Sequence, residues 1–191
     1  MIILIICILI SIILYINKRK WRVKCPSFYP LHKFVIIGHR GAPFISKENT
    51  IESFTKAFEL GLNCIELDIQ ITKDNKIIIF HDYEILDKYG NANKINNINY
   101  SKIIDSNYFN SKIPLLEKLL EIIPKNKFFN IEIKSRKINN HLIIQEVLKI
   151  IRNHNKEKYV IISSFNPFVL KLLHKISPEI YTAYLWSSEN P

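Results

Sequence analysis

The sequence predicts an α/β chain built as a (β/α)8 barrel, with about six strands present and one transmembrane helix ahead of them. Three observations carry this prediction. Short, almost continuously apolar runs alternate with stretches whose apolar residues recur at helical spacing, as in a parallel sheet covered on both faces. Chemically capable residues gather at the ends of successive apolar runs: His39 and Arg40, Glu66 and Asp68, His81 and Asp82, Glu132 and Lys134. Barrels place their active sites at such strand ends. A doubly wound nucleotide-binding sheet fits the alternation too, but the chain has neither a GxGxxG nor a Walker loop.

The elements follow in order. Residues 1–16 read MIILIICILISIILYI, and the cluster Lys18-Arg19-Lys20-Trp21-Arg22 comes directly after Asn17. At 1.5 Å per residue such a run covers ~24 Å of a ~30 Å hydrocarbon core. Tyr15 and Trp21 at the interface and snorkelling basic stems would close part of the gap. A cleaved signal peptide would want positive charge before the run and small residues at a cleavage site, and both are missing. The reading is an uncleaved single-pass anchor over residues 1–17, preferred to a signal peptide or a buried core helix. The positive-inside rule then turns the domain behind it to the cytoplasm. Residues 18–33 are a basic juxtamembrane linker, and residues 34–191 form the barrel domain.

Within that domain residues 34–38 read as a buried strand running into His39-Arg40-Gly41-Ala42-Pro43. Residues 50–60 are a helix capped by Asn49 or Thr50 and stopped by Gly61. Strands follow at 64–72 and 76–81, divided by the turn signal Lys73-Asp74-Asn75. Residues 83–112 are polar and Asn-rich and read as an excursion with one short helix. Helix 114–123, strand 128–134, helix 141–152, strand 159–165, helix 167–176 and strand 180–186 complete the series.

Composition narrows the class. The chain is 48% hydrophobic with 4 Gly among 191 residues, which excludes a disordered or low-complexity protein. Three cysteines without zinc-finger spacing read as free thiols: Cys7 in the apolar run, Cys25 behind the basic cluster, Cys64 opening a buried strand. The net charge of +10 is local, because residues 1–47 hold eight Lys/Arg and no acidic residue. The remaining residues carry 19 basic and 17 acidic groups, so the domain lacks the footprint of a nucleic-acid binder.

Side chains alternate along a strand, so Glu66 and Asp68 share a face, as do Glu132 and Lys134. If that face lines the barrel, three carboxylates converge, and a divalent cation relieves their repulsion. All-oxygen ligands favour Ca²⁺ or Mg²⁺ over zinc. His39 and His81 at neighbouring strand ends suit proton transfer, and Arg40 and Lys134 suit a phosphate oxygen. Together these groups describe phosphoester hydrolysis.

At these residues the sequence resembles the glycerophosphodiester phosphodiesterase family. The ordered series is His39-Arg40-Gly41, Glu48-Asn49-Thr50, Ser53-Phe54, Glu66-Leu67-Asp68, Thr72-Lys73-Asp74 and His81-Asp82, then residues 113–117 (IPLLE) and 131–134 (IEIK). The resemblance implies a barrel hydrolase that splits glycerophosphodiesters into glycerol 3-phosphate and an alcohol. It makes Glu66, Asp68 and Glu132 the metal ligands, and His39 and His81 the general acid and base. It gives Arg40 and Lys134 to the phosphate, and Glu48 to support of the metal or the glycerol hydroxyls. It further implies attack on phosphorus by the neighbouring glycerol hydroxyl, followed by opening of the cyclic product by water. Asp82 and Asn49 are expected to orient neighbours.

A closed barrel takes eight strands and typically ~250 residues, so the domain reads as C-terminally truncated. The expected protein is a membrane-anchored, metal-dependent phosphodiesterase. Alternatives are lysophospholipase D-type hydrolysis of lysophospholipids, and an inactive membrane-bound remnant that only binds. A homo-oligomer or a second chain completing the barrel is the further expectation.

Overall fold

The computed structural model describes residues 2–20, 26, 35–87, 89–105, 113–124 and 126–187. Helix α1 is Ile2–Lys20. Its apolar part, residues 2–16, covers ~22 Å at 1.5 Å per residue before the helix runs into Lys18, Arg19 and Lys20, against a ~30 Å hydrocarbon core. Among the described residues no helix is long and apolar enough to cross a membrane. The expected transmembrane anchor is therefore corrected, together with the single-pass placement and cytoplasmic-facing domain built on it. Nor is α1 a buried core helix, since Ile3 to Tyr15 are exposed along its length. Of the expected linker, residues 18–20 end α1 and Pro26 is described, whereas Trp21, Cys25 and its other residues lie outside the described residues, as does Phe34.

The domain is a mostly parallel sheet with helices on one face. Strand β1 (Ile37–Gly38) pairs in parallel with β2 (Cys64–Ile71), and α2 (Ile51–Glu59) connects them. Strand β2 pairs in parallel with β6 (Phe128–Ile133), β6 with β7 (Val160–Ser164), and β7 with β8 (Tyr181–Tyr184). The crossovers are helices α4 (Leu116–Ile122), α5 (His141–Asn153) and α6 (Pro167–Ile176). Strand β3 (Ile77–Ile79) departs from expectation, because it folds back antiparallel on β2. The turn over residues 73–75 is too short for a parallel crossover, which needs a dozen or more residues. The parallel path among the described residues thus has five strands, β1-β2-β6-β7-β8, with β3 beside it.

Alternation along β2 separates core from site. Ile65, Leu67 and Ile69 enter the main hydrophobic cluster, while Glu66, Asp68 and Gln70 take the opposite face. Each helix contributes a stripe at 3.6-residue spacing: Phe54 and Ala57 from α2, Leu116, Leu119 and Leu120 from α4, and Ile144, Val147, Leu148 and Ile151 from α5. Each such burial stabilises by about 1.5–3 kcal/mol per large side chain.

The Asn-rich excursion is more ordered than its composition suggests. Strands β4 (Glu84–Leu86) and β5 (Ala92–Lys94) form a hairpin, followed by a 3₁₀ turn over Ile95–Asn97 and helix α3 (Tyr100–Asp105). A second apolar cluster of Ile78, Phe80, Ile85, Ile95 and Ile103 seats this unit on β3.

Candidate active site

The turn after β1 places the first group. Arg40 and Gly41 both take positive φ, 54° and 94°, and turn the chain sharply behind Gly38. A Cβ at Gly41 would lie 2.4 Å from Ser53 Oγ, so only glycine fits. Ser53, buried on α2, donates to Arg40 O (3.1 Å) and accepts from Ala42 N (2.8 Å), which pins the turn to the helix. Thr50 is the cap, accepting from Ser53 N, so Asn49 is released for another task. Its side-chain amide donates to Asp68 Oδ2 (2.9 Å) and its Oδ1 accepts from Asp68 N (3.3 Å).

Register supplies the carboxylates. Asp68 of β2 lies opposite Glu132 of β6, and Glu66 lies two residues back on the same face. One oxygen from each of Glu66, Asp68 and Glu132 falls within 4.8 Å of the others, and all three residues are buried. Two cations offset this charge. Lys134 Nζ reaches Glu132 Oε1 at 2.8 Å and Asp68 Oδ1 at 3.3 Å. Arg40 Nε lies 3.2 Å from Asp68 Oδ2, and its Nη1 donates to Glu48 Oε1 at 2.9 Å. Burial opposes the Lys134 charge, yet Glu132 and Asp68 hold the ammonium above its ordinary value.

Glu66 is the member left without a matching cation. Its Oε2 accepts from the Arg40 backbone N–H at 2.9 Å, and its buried Oε1 has no hydrogen-bond partner among the described residues. Burial, then repulsion from Asp68, pushes its carboxyl up to about 8. An orphaned buried oxygen beside two further carboxylates is what a hard divalent cation with oxygen ligands would satisfy. The residues present therefore fit such an ion.

The two imidazoles stand on the segments that follow β1 and β3, the latter beginning at Phe80, whose N–H donates to Asp68 O. His39 is 71% exposed, with Nε2 3.9 Å from Glu66 Oε2. His81 follows β3, and its Nδ1 meets Asp82 Oδ1 at 2.7 Å, which orients the ring and leaves Nε2 for other partners. Glu48 stands outside the carboxylate cluster, half-exposed, and touches Arg40 instead. Among the remaining histidines, His154 bonds Ile150 O at 2.8 Å and His141 opens α5; His32 lies outside the described residues.

Three further residues escape a reading by motif. Gln70 is buried, and its Nε2 donates to Phe80 O (3.1 Å), His81 O (3.3 Å) and Asp82 O (2.5 Å), holding the segment that carries His81. Its signal was strand alternation, since 66, 68 and 70 share a face. Asn130 and Ser163 sit in register with Glu66 and Glu132, and their side-chain oxygens are buried without partners among the described residues. Nothing in the sequence distinguishes these two from ordinary strand residues.

Comparison with known proteins agrees with the fold. The model of the glycerophosphoryl diester phosphodiesterase family matches residues 39–191. The glycerophosphodiester phosphodiesterase of Caldanaerobacter subterraneus subsp. tengcongensis is 34% identical over 164 residues, covering 81% of this chain and 67% of that protein. The crystal structure of the Thermotoga maritima glycerophosphodiester phosphodiesterase is 35% identical with a TM-score of 0.67, covering 83% of this chain and 65% of that one. An Oleispira antarctica phosphodiesterase, solved with the product sn-glycerol-3-phosphate, is 25% identical with a TM-score of 0.72, covering 84% of this chain and 68% of that one. The chain thus spans about two thirds of the length of these relatives. A matching family model over most of the chain, a relative one third identical and a shared barrel-like α/β fold lead to one assignment: the chain belongs to the glycerophosphoryl diester phosphodiesterase family.

Proposed function

We propose that this chain hydrolyses glycerophosphodiesters to glycerol 3-phosphate and an alcohol. The observation that carries the reading is three buried carboxylates within 4.8 Å of one another, with two cations paired to them, His39 beside Glu66, and His81 on the segment after β3. Glu66, Asp68 and Glu132 hold a divalent cation, Ca²⁺ or Mg²⁺. That ion, when bound, supplies positive charge to the phosphoryl oxygens as negative charge builds up there.

The chain's own groups do the rest. Arg40 is fixed by Glu48 and Asp68 in a rigid fork that suits a phosphate oxygen. Lys134 neutralises Asp68 and Glu132 in the ion-free chain, and its ammonium is the second donor to phosphate. His39 and His81 stand on two different strand-end segments, so one accepts a proton from the attacking hydroxyl while the other protonates the departing alcohol. The Asp82 carboxylate holds the His81 ring in place, leaving Nε2 to face the substrate.

The test is release of glycerol 3-phosphate from glycerophosphocholine and glycerophosphoglycerol by the full chain, with Ca²⁺, Mg²⁺ or chelator. Cation-dependent release that falls at least 100-fold in His39→Ala and His81→Ala supports the assignment. Equal release with chelator, or full activity in both variants, refutes it. A lysophospholipid arm reports whether an acyl chain is accepted at the same site.

A further inference from the structure

Beside the carboxylate cluster lies a cleft of about 720 Å³ that the proposed chemistry does not use. Its walls are the β4–β5 hairpin on one side, and the β6–α5 loop with the first turn of α5 on the other. Lys134 and Gln70 line its inner end, so it opens directly from the groups that face the phosphate and hold the His81 segment. The charge of its wall is one-sided. Among the described residues Lys94, Lys134, Arg136 and Lys137 line it with His141, against the single carboxylate of Glu84.

These cations differ in how they are satisfied. Lys134 is paired with Asp68 and Glu132. Lys94, Arg136 and Lys137 form no ion pair with a carboxylate among the described residues. The Arg136 guanidinium lies 4.3 Å over the Tyr83 ring, which holds its planar fork at the wall of the cleft. Lys94 stands opposite Glu84 across the hairpin, while Arg136 and Lys137 have no ion pair among the described residues; the net positive wall repels a cationic headgroup and offers charge-assisted hydrogen bonds to an anion.

We propose that this cleft receives the part of the diester beyond the scissile phosphate, and that it selects alcohols carrying a second anionic group. The inference rests on the proposed hydrolysis and names its substrate class: a phosphate or carboxylate on the alcohol is preferred over a choline-type cation. Arg136 and Lys137 contact that second anion from the β6–α5 loop, and Lys94 contacts it from the hairpin.

The experiment compares kcat/KM of the full chain for three diesters, in the presence of Ca²⁺ or Mg²⁺. The alcohols are glycerol phosphate, serine and choline, so the phosphate and carboxylate sources of the anion are read separately. The expected preference for the glycerol phosphate diester over the choline diester is about tenfold, the sum of two or three partly exposed charge contacts. The double variant Arg136→Gln/Lys137→Gln, and separately Lys94→Gln, bring the ratio towards one by raising KM for the anionic substrate. A wild-type ratio of one or less, or a ratio unchanged in both variants, overturns the proposal while leaving the hydrolysis intact. Calorimetric titration with the same diesters separates the two readings when turnover is absent. Tighter binding of the anionic diester that is lost in the double variant then supports the cleft and refutes the activity. No difference in binding between the diesters refutes the cleft.

Discussion

Glu66 makes the cation requirement measurable through folding as well as catalysis. Its carboxyl moves from an ordinary value of 4.5 to about 8 in the ion-free folded chain, first through burial and then through repulsion from Asp68. A carboxyl raised on folding binds its proton more tightly in the native state, so stability is highest below pH 4.5 and falls as pH rises towards 8. Over the whole window the loss reaches ~5 kcal/mol, and between pH 5.5 and pH 8.5 it is about 3 kcal/mol. Glu66→Gln removes the titrating group and keeps its shape. Urea unfolding of the full chain in chelator, at pH 5.5, 7 and 8.5, should therefore show a decline in the wild type that is about 3 kcal/mol steeper than in the variant. Added Ca²⁺ or Mg²⁺ should restore stability most at pH 8.5, where ligands need not release protons, and should do little for the variant. Parallel pH profiles for wild type and variant would sink the account of Glu66, and absence of any stabilisation by cation at pH 8.5 would sink the metal site.

Three shorter expectations follow from the same geometry. Gly41→Ala places a Cβ 2.4 Å from Ser53 Oγ at a φ of 94° and should cost about 2–4 kcal/mol in chemical denaturation. Gly61→Ala has a φ of 89° with open space around it, and should cost only ~1 kcal/mol; equal losses at the two sites would refute the packing explanation. Gln70→Ala removes the donor shared by three backbone carbonyls and should cost about 2 kcal/mol. It should also lower kcat and displace the pH–rate profile, whereas a purely structural role would leave that profile in place. Cys64 is buried and its thiol is pushed up to about 11, whereas Cys7 is exposed. Mass-spectrometric mapping after brief iodoacetamide treatment of the folded chain should find Cys7 modified and Cys64 intact, with the difference lost in denaturant.

What was legible in the sequence depended on how far each residue's structure is set by its own neighbours. Helix α6 carries its cap Asn166, a proline at its first turn and a clean apolar stripe, and it forms over the residues expected. Helix α2 likewise follows from its cap, although Thr50 and not Asn49 fills that position. Strand β3 shows the opposite case. An apolar run states that a segment is buried, but not whether it continues a parallel path or folds back, and only the brevity of the 73–75 turn decided it. Strands β4 and β5 have three residues each, too few for alternation to emerge from an Asn-rich background. Their order comes from Ile85 and Ile95 reaching a cluster on β3, which is a tertiary fact. For α1 the sequence showed apolarity but overvalued what flanking residues add to a short span.

The carboxylate cluster could be read early because it depends on very little of the fold. Its three members stand on one pair of adjacent parallel strands, with Asp68 opposite Glu132 and Glu66 opposite Asn130. A slip of one residue between β2 and β6 would turn every side chain of one strand to the other face, sending Glu132 into the helical layer and Ile131 or Ile133 into the site. Ile131 and Ile133 are almost completely buried in the main core, so that slip is opposed by the burial of two large aliphatic side chains, about 3–6 kcal/mol. The register that stabilises the core is thus the register that assembles the carboxylates. Arg40, His39 and His81 depend on more. They need the positive-φ turn pinned by Ser53 and the segment held by Gln70, both of which are contacts across the sequence. The acidic centre is consequently the robust part of the site, and the imidazoles are the part that single changes at Gly41, Ser53 or Gln70 should disturb first.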